Sequence, residues 1–199
     1  MNKLKINKGF TLIELLIVIT LLGILAVAVL SAINPIEQIN RSKDTAKQGD
    51  CEQLINATDR YYASKGWYPW MKDGNSEALQ SWWAVDSTWV DDNTPVAEVL
   101  KTNLGSGGAA EVKASFVARV NALTPTLQVY NHGEAGDSTY VCFHPDSGDF
   151  REKAWRRCKE EEVYGELPED YPPEACPATT ACTGATEVKD ATDCYSCLP

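Results

Sequence analysis

Histidine and positive charge are both scarce in this chain. Its 199 residues include only two histidines, His132 and His144, and 18 lysines and arginines stand against 28 aspartates and glutamates, which gives a formal net charge of −10. The chain contains no Ser/His/Asp set, no phosphate-binding glycine loop and no His-Glu-x-x-His motif. We therefore expect no catalytic residues, no cofactor, no metal site, and no broad binding to nucleic acid or to an anionic membrane surface.

One long apolar run lies near the N-terminus. Phe10–Ile33 contains a single charged residue, Glu14, and follows a lysine-rich tip formed by residues 1–8. In helical conformation this run spans about 36 Å, which exceeds the hydrocarbon core of about 30 Å. The basic tip predicts a cytoplasmic N-terminus, with the chain beyond the apolar run outside the membrane.

A short motif overlaps the start of this run. It reads Lys8-Gly9-Phe10-Thr11-Leu12-Ile13-Glu14 and, with the apolar residues that follow, resembles the processing site of type IV pilins and pseudopilins. The resemblance implies that a prepilin peptidase and N-methyltransferase cuts between Gly9 and Phe10 and methylates the new Phe10 amine. Because glycine has no side chain, the backbone at Gly9 is accessible to such a peptidase.

Glu14 needs an explanation, because an acidic side chain in the middle of a membrane costs about 2.5 to 3.5 kcal/mol. The resemblance implies that Glu14 pairs with the Phe10 amine of a neighbouring subunit, which would offset this cost and fix the axial register. The implied partners are identical or related pilin subunits in a helical filament, the peptidase, and an inner-membrane assembly platform. The task of the filament (adhesion, motility, DNA uptake or secretion) stays open.

Other interpretations of the N-terminus compete with this one. An ordinary secretory signal peptide would have an apolar core of about 7 to 15 residues, shorter than this run. A plain single-pass anchor accounts for the length but not for Glu14, and it would make the chain a membrane-anchored extracytoplasmic binding protein. An extracytoplasmic thiol oxidoreductase would require a reactive Cys194-x-x-Cys197 pair.

A second helix is predicted after the apolar run. Asn34-Pro35 predicts a kink or local melting, since proline removes a helix hydrogen bond. From Ile36 to Lys65, side chains at three-four spacing form one face, and Gly66 is placed as the residue that ends the helix. The face expected to be buried comprises Cys51, Leu54, Ile55, Thr58, Tyr61 and Tyr62.

The middle of the chain predicts a mixed domain. Thr94-Pro95 indicates the start of a short helix through Leu100. Three strand-like runs predict an antiparallel meander or hairpin: Ser115–Val120, Thr126–Tyr130 and Thr139–Phe143. Phe150–Cys158 is ambiguous between strand and helix. Most tryptophans are expected in core and lid packing, with a carbohydrate or receptor platform as the alternative: Trp67, Trp70, Trp82, Trp83 and Trp89.

All seven cysteines lie beyond the apolar run, which indicates an oxidising exterior. Six are disulfide candidates: Cys142, Cys158, Cys176, Cys182, Cys194 and Cys197. The last four permit three pairings and can also be read as a zinc site. The resemblance to pilins implies a Cys142–Cys158 disulfide that closes a C-terminal loop. Cys51 is left over and is expected to be a buried free thiol.

These predictions define an α+β protein with a long N-terminal helical spine. Residues 1–9 form a leader removed by the peptidase, 10–33 the transmembrane and assembly helix, and 34–66 the packed half of the spine. Residues 67–158 form a globular pilin head with a small antiparallel β-sheet, and 159–199 form an acidic, cysteine-rich tail. The expected location is the cytoplasmic membrane before assembly and a cell-surface filament afterwards.

Overall fold

A computed structural model describes residues 9–32, 34–75, 77–91, 98–106, 110–134, 136–159 and 167–199. The helices in these ranges are α1 (Leu12–Ala32), α2 (Pro35–Lys65), α3 (Ala114–Asn121) and α4 (Gly148–Lys159). The strands are β1 (Gln80–Ala84), β2 (Gln128–Asn131), β3 (Thr139–Phe143) and β4 (Ser196–Leu198). Shorter turns of helix are Val99–Asn103, Pro173–Ala175 and Val188–Asp190. The predicted α+β class is confirmed.

Helix α1 is apolar on every side. Its segment Leu12–Leu30 is long and apolar enough to cross a membrane, judged by length and composition, and its side chains are exposed throughout. A helix without a polar face is stable inside a membrane or in the core of a bundle. The chain divides into two compact units, Met1–Gln38, which contains α1, and Ile39–Pro199.

The interruption predicted at Asn34-Pro35 is confirmed. Helix α1 ends at Ala32, and α2 begins at Pro35, where proline's missing N–H costs nothing because the first helical residues have no intrahelical acceptor. The side-chain oxygen of Asn34 accepts a hydrogen bond from the backbone N–H of Glu37 at 3.3 Å. Asn34 therefore caps the second helix.

Helix α2 buries, wholly or in part, most of the residues that were predicted to form its inward face. Cys51, Leu54 and Thr58 are buried, Ile55 and Tyr61 are half-buried, and Tyr62 is exposed. Gly66 ends the helix as predicted, since its φ of 84° lies in the left-handed region and its N–H donates to the Tyr62 carbonyl at 2.7 Å.

Two buried charges on α2 bind the segment that precedes α4. Asp44 accepts hydrogen bonds from the Ser147 N–H and hydroxyl, both at 2.7 Å, and from the Asp146 N–H at 2.9 Å. Lys47 donates to the Asp146 carboxylate at 2.8 Å. Each buried charge thus has partners that offset its desolvation, and together they fasten the start of α4 to α2.

The four strands form one antiparallel sheet in the order β1-β2-β3-β4. Val129 of β2 lies opposite Val141 of β3, and Cys142 of β3 lies opposite Cys197 of β4. Both valines are fully buried, in a core shared with α2, α3 and the aromatic segment before β1. The largest fully buried side chains of this core are Trp89, Phe116, Phe143, Leu54, Leu100, Leu104 and Leu127.

The strand predicted at Ser115–Val120 is wrong, because this segment is helix α3. Its β-branched residues indicated a strand, yet Phe116, Val117 and Val120 are all buried on one side, a spacing that matches the helical period. Arg119, on the same helix, pairs with Asp50 of α2 at 2.5 Å. Tertiary packing therefore overrides the local strand preference.

The remaining predictions divide between confirmed and untested. Thr126–Tyr130 overlaps β2, Thr139–Phe143 coincides with β3, and the two pair as a hairpin. Phe150–Cys158 is helical, within α4. Thr94 and Pro95 lie outside the described residues. Leu100 lies in the short turn Val99–Asn103, which is a π-helix.

Three disulfides hold the C-terminal part, and they join Cys142 to Cys197, Cys158 to Cys176, and Cys182 to Cys194. The predicted Cys142–Cys158 pairing is wrong. The segment leading to Cys158 is a helix rather than the second strand of a hairpin, so Cys158 lies near the C-terminal end of α4 and not beside β3. Strand β4 instead places Cys197 opposite Cys142. Cys51 is a buried free thiol, as predicted.

Asp170 attaches the tail to the hairpin. Its carboxylate accepts hydrogen bonds from the Ser138 N–H at 2.7 Å and from the Tyr140 hydroxyl at 3.0 Å. Burial opposes ionisation of Asp170, but these hydrogen bonds outweigh it and hold the pKa of the carboxyl below its ordinary value. Burial, the bond to Asp170 and the negative charge of Asp170 raise the pKa of Tyr140 to about 12.

Candidate processing and assembly site

Gly9 and Phe10 lie immediately before the first turn of α1. Gly9 is not among the glycines with left-handed φ, and a Cβ placed on it meets no atom within 4 Å. Phe10 is 83% exposed. The described part of the chain therefore imposes no requirement for glycine at position 9, and a requirement there must come from a partner that grips the backbone.

Thr11 and Glu14 each accept a hydrogen bond from the backbone N–H of the other at the start of α1. Glu14 Oε2 accepts hydrogen bonds from the Thr11 N–H at 2.9 Å and from the Thr11 hydroxyl at 2.7 Å, while the Glu14 N–H donates to Thr11 Oγ1 at 3.3 Å. This is a capping box, in which two N–H groups that lack intrahelical acceptors gain partners. The positive end of the helix dipole also favours a carboxylate at this position.

Thr11 is the residue that sequence reasoning missed. The pattern Thr-x-x-Glu before an apolar run is a recognised signature of a helix N-terminus, and Thr11-Leu12-Ile13-Glu14 displays it. The carboxylate that was expected to need a partner in another subunit already has one within its own chain. Both bonds converge on Oε2, which leaves Oε1 able to accept from a further donor.

The N-terminus also matches a known family model. Residues 4–30 match the prokaryotic N-terminal methylation motif. This segment is a class III signal peptide, the kind found in type IV pilins. No curated protein and no solved structure matches the chain.

The class III signal peptide and the apolar helix α1 together fit a type IV pilin-like subunit. Proteins with this motif are structural rather than enzymatic. The motif implies processing by a prepilin peptidase and filament assembly of the pilin type. With α1, it indicates membrane anchoring followed by location in a surface filament.

The C-terminal cysteines form neither the zinc site nor the redox pair considered from their spacing. Cys194 is bonded to Cys182 and Cys197 to Cys142, so the two cysteines of Cys194-x-x-Cys197 are not joined to each other. The Sγ atoms of Cys158, Cys182 and Cys194 do lie within 4.8 Å of one another. As disulfide sulfurs, however, they lack the thiolate that zinc requires.

A second feature lies on the globular unit, around Leu79. Four exposed apolar side chains border two cavities there: Tyr62, Leu79, Trp83 and Val90. The cavities measure about 240 and 530 Å³, and Leu79 lines both. The ring N–H of Trp83 donates to the Thr88 carbonyl at 3.1 Å, which holds the indole in place. This surface offers pre-organised aromatic area for a ligand.

Proposed function

We propose that this chain is a structural subunit of a type IV pilus-like filament, assembled through its apolar N-terminal helix after removal of residues 1–9. The observation that carries the proposal is the N-terminal methylation motif at residues 4–30, continuous with a helix that can cross a membrane. The globular pilin head (67–158) and the cysteine-rich tail (159–199) form the outer part of the subunit.

The processing step takes place between Gly9 and Phe10. Open space around Gly9 supports cleavage there, since the peptidase can approach the backbone without meeting a side chain. Cleavage removes the three lysines of residues 1–8 and changes the formal net charge from −10 to −13. The new Phe10 amine, then methylated, becomes the nearest cationic group in sequence to Glu14.

The assembly step uses Glu14 and the apolar surface of α1. Helices that are exposed and apolar on all sides pack against one another through van der Waals contact in the membrane. When they leave the lipid, packing also removes their apolar surface from water. Glu14 Oε1 accepts from the Phe10 amine of a neighbouring subunit, while Oε2 stays bonded to Thr11. This pair fixes the register between neighbouring helices, since it forms at one axial position.

The subunit resides in the cytoplasmic membrane before assembly and in a cell-surface filament afterwards. The three disulfides support an extracytoplasmic location for the globular unit, because such bonds persist in oxidising compartments. The partners are identical or related pilin subunits, a prepilin peptidase and N-methyltransferase, and an inner-membrane assembly platform.

Processing is tested by a pair of glycine substitutions in the full chain, expressed with a prepilin peptidase. Gly9→Leu is expected to leave the chain uncut, whereas Gly23→Leu is the matched control. A Cβ at either glycine meets no atom within 4 Å, so neither substitution creates a clash in the described chain, and only Gly9 borders the cut. Intact mass reports whether residues 1–9 are present. Equal cleavage of both variants would contradict the proposal.

A permanently anchored binding protein is the second candidate function. The exposed apolar side chains around Leu79 favour it, because they border two cavities and ligand sites are concave and mostly apolar. In that case the membrane-anchored chain keeps residues 1–9 even when a prepilin peptidase is present. The intact mass of the unsubstituted chain separates the two functions.

A further inference from the structure

Two of the three disulfides approach each other closely. The Sγ atoms of Cys158, Cys182 and Cys194 all lie within 4.8 Å of one another, although Cys158 is bonded to Cys176 and the other two to each other. A thiolate attacks a disulfide sulfur directly and forms a mixed disulfide. A thiolate at Cys158 would therefore already stand beside both sulfurs of the second bond.

The two bonds differ in their access to solvent. Cys158 and Cys176 are both half-buried, so this bond lies nearer to solvent than the second one. Cys182 and Cys194 are 0% and 1% exposed. They lie in a small buried cluster with Ala154, Ala185 and Ala191, and the partly buried Cys158 packs against it. Direct attack by a protein or a small thiol on the second bond is blocked by this packing.

We propose that Cys158–Cys176 is the exchange site through which an external thiol–disulfide oxidoreductase, or a small dithiol, opens and forms the buried Cys182–Cys194 bond. The external thiolate attacks Cys176 Sγ, makes a mixed disulfide there, and releases the Cys158 thiolate. Cys158 then attacks Cys182 or Cys194, which forms one new bond and releases the other cysteine as a thiolate. The second thiol of the external dithiol resolves its mixed disulfide, and the dithiol leaves oxidised.

A related exchange through the same surface bond oxidises the buried pair during folding. A Cys182 or Cys194 thiolate attacks Cys158 of the surface bond and releases the Cys176 thiolate. The remaining buried thiolate then closes Cys182–Cys194 and frees Cys158. An external protein disulfide re-forms Cys158–Cys176 and is itself reduced to a dithiol. Two electrons pass outward, and the buried thiols need never meet the oxidant.

The third disulfide supplies an internal reference. Cys142 and Cys197 are also buried, but they join β3 to β4 and pack in a different cluster, with Tyr140 and Tyr171. Cys176 packs against that cluster, whereas Cys158 packs against the one that holds Cys182 and Cys194. Their sulfurs are not in the group of three described above. The exchange route therefore predicts that the two buried bonds respond differently to an external dithiol, with Cys182–Cys194 opening first.

A matched pair of variants of the full chain tests the route. Cys176→Ser and Cys158→Ser break the same disulfide and remove the same constraint. Only Cys176→Ser leaves a thiol, that of Cys158, beside the Cys182–Cys194 bond. After acid quenching and alkylation, peptide mass spectrometry is expected to find Cys158 linked to Cys182 or Cys194 in Cys176→Ser. In Cys158→Ser, the Cys182–Cys194 bond is expected to remain native. The same pairing pattern in both variants, native or scrambled, overturns the proposal.

The unsubstituted chain provides a measurement that does not depend on how the variants fold. With limiting dithiothreitol under native conditions, the first products are expected to contain free Cys176 and a Cys158–Cys182 or Cys158–Cys194 link. An intramolecular thiolate has a high effective concentration, so Cys182–Cys194 should open at least about tenfold faster than Cys142–Cys197. Opening of Cys182–Cys194 while Cys158–Cys176 is still intact overturns the proposal.

Discussion

Glu14 accepts two hydrogen bonds on one carboxylate oxygen from Thr11, at 2.9 Å from its N–H and 2.7 Å from its hydroxyl. The carboxylate thus completes the helix cap of its own chain, and its second oxygen is available for the proposed bond to a neighbouring subunit. The cap uses the carboxylate as an acceptor, whereas a bond to the Phe10 amine also uses its charge. The two roles can be separated by substitution.

Glu14→Gln is expected to be processed normally but to lose filament assembly, because glutamine preserves the capping box and removes the charge. Glu14→Ala, which removes both, should assemble no better than Glu14→Gln. The yield of sheared filaments, compared with the cleaved subunit left in the membrane, measures the effect. If Glu14→Gln gave the filament yield of the unsubstituted chain while Glu14→Ala did not, assembly would require the helix cap rather than the charge pair.

Asp44→Ala is expected to lower the free energy of unfolding by about 3 to 5 kcal/mol, the usual cost of removing one partner of a buried charged pair. The Asp146 and Ser147 N–H groups would lose their acceptor, and Lys47 would lose a neighbouring negative charge. Asp59→Ala, an exposed carboxylate on the same helix, is the control and should change stability by less than about 0.5 kcal/mol. Urea unfolding of the full chain in detergent, followed by tryptophan fluorescence, measures both.

Cys51 is expected to resist alkylation in the native protein at pH 8.5 and to react once the protein is unfolded. Burial, with the charges of Asp50 and Glu52, raises the pKa of its thiol far above the ordinary value. The unfolded thiol ionises near pH 8.5 while the native one stays protonated. Its contribution to stability is therefore complete below about pH 8.5 and falls by about 1.4 kcal/mol per pH unit above it.

The comparison that isolates this effect is with Cys51→Ala. The difference in unfolding free energy between the unsubstituted protein and the variant should shrink as the pH rises from 8 to 10. A difference that does not change with pH would show that the Cys51 thiol ionises equally in both states.

Asp170→Ala is expected to release the tail from the hairpin and to raise hydrogen–deuterium exchange in residues 167–176. The lost hydrogen bonds to a charged group are worth about 1.5 to 3 kcal/mol each. Since the native pKa of Asp170 is lowered, its contribution is present above the ordinary value of about 3.9 and is lost as the pH falls through the native pKa. Glu169→Ala, at an exposed neighbour, should leave exchange unchanged.

Local signals in the sequence predicted much of the backbone. Gly66 marks the end of α2 because only a residue tolerant of left-handed φ fits there. Asn34-Pro35 marks the break between the helices, and the β-branched and aromatic residues of Thr139–Phe143 mark a strand. In each case the physical cause lies within a few neighbouring residues, so the sequence alone displays it.

The errors arise where distant residues decide the outcome. Ser115–Val120 has strand-like composition, but its helical form buries Phe116 and Val120 against the core. The partner of Cys142 depends on β4 returning to the sheet from the end of the chain. The contact between Asp44 and Ser147 joins residues 103 positions apart. At the N-terminal site, Gly9, Phe10 and Glu14 could be proposed from the motif, whereas Thr11 needed the capping pattern.

The measurement that tests the filament proposal most directly is the N-terminal sequence and intact mass of the protein recovered from sheared cell-surface material. We expect a chain that begins at Phe10, carries one added methyl group on its amine, and lacks residues 1–9. A chain that begins at Met1 and occurs only in the membrane fraction would contradict the filament proposal and favour an anchored binding protein.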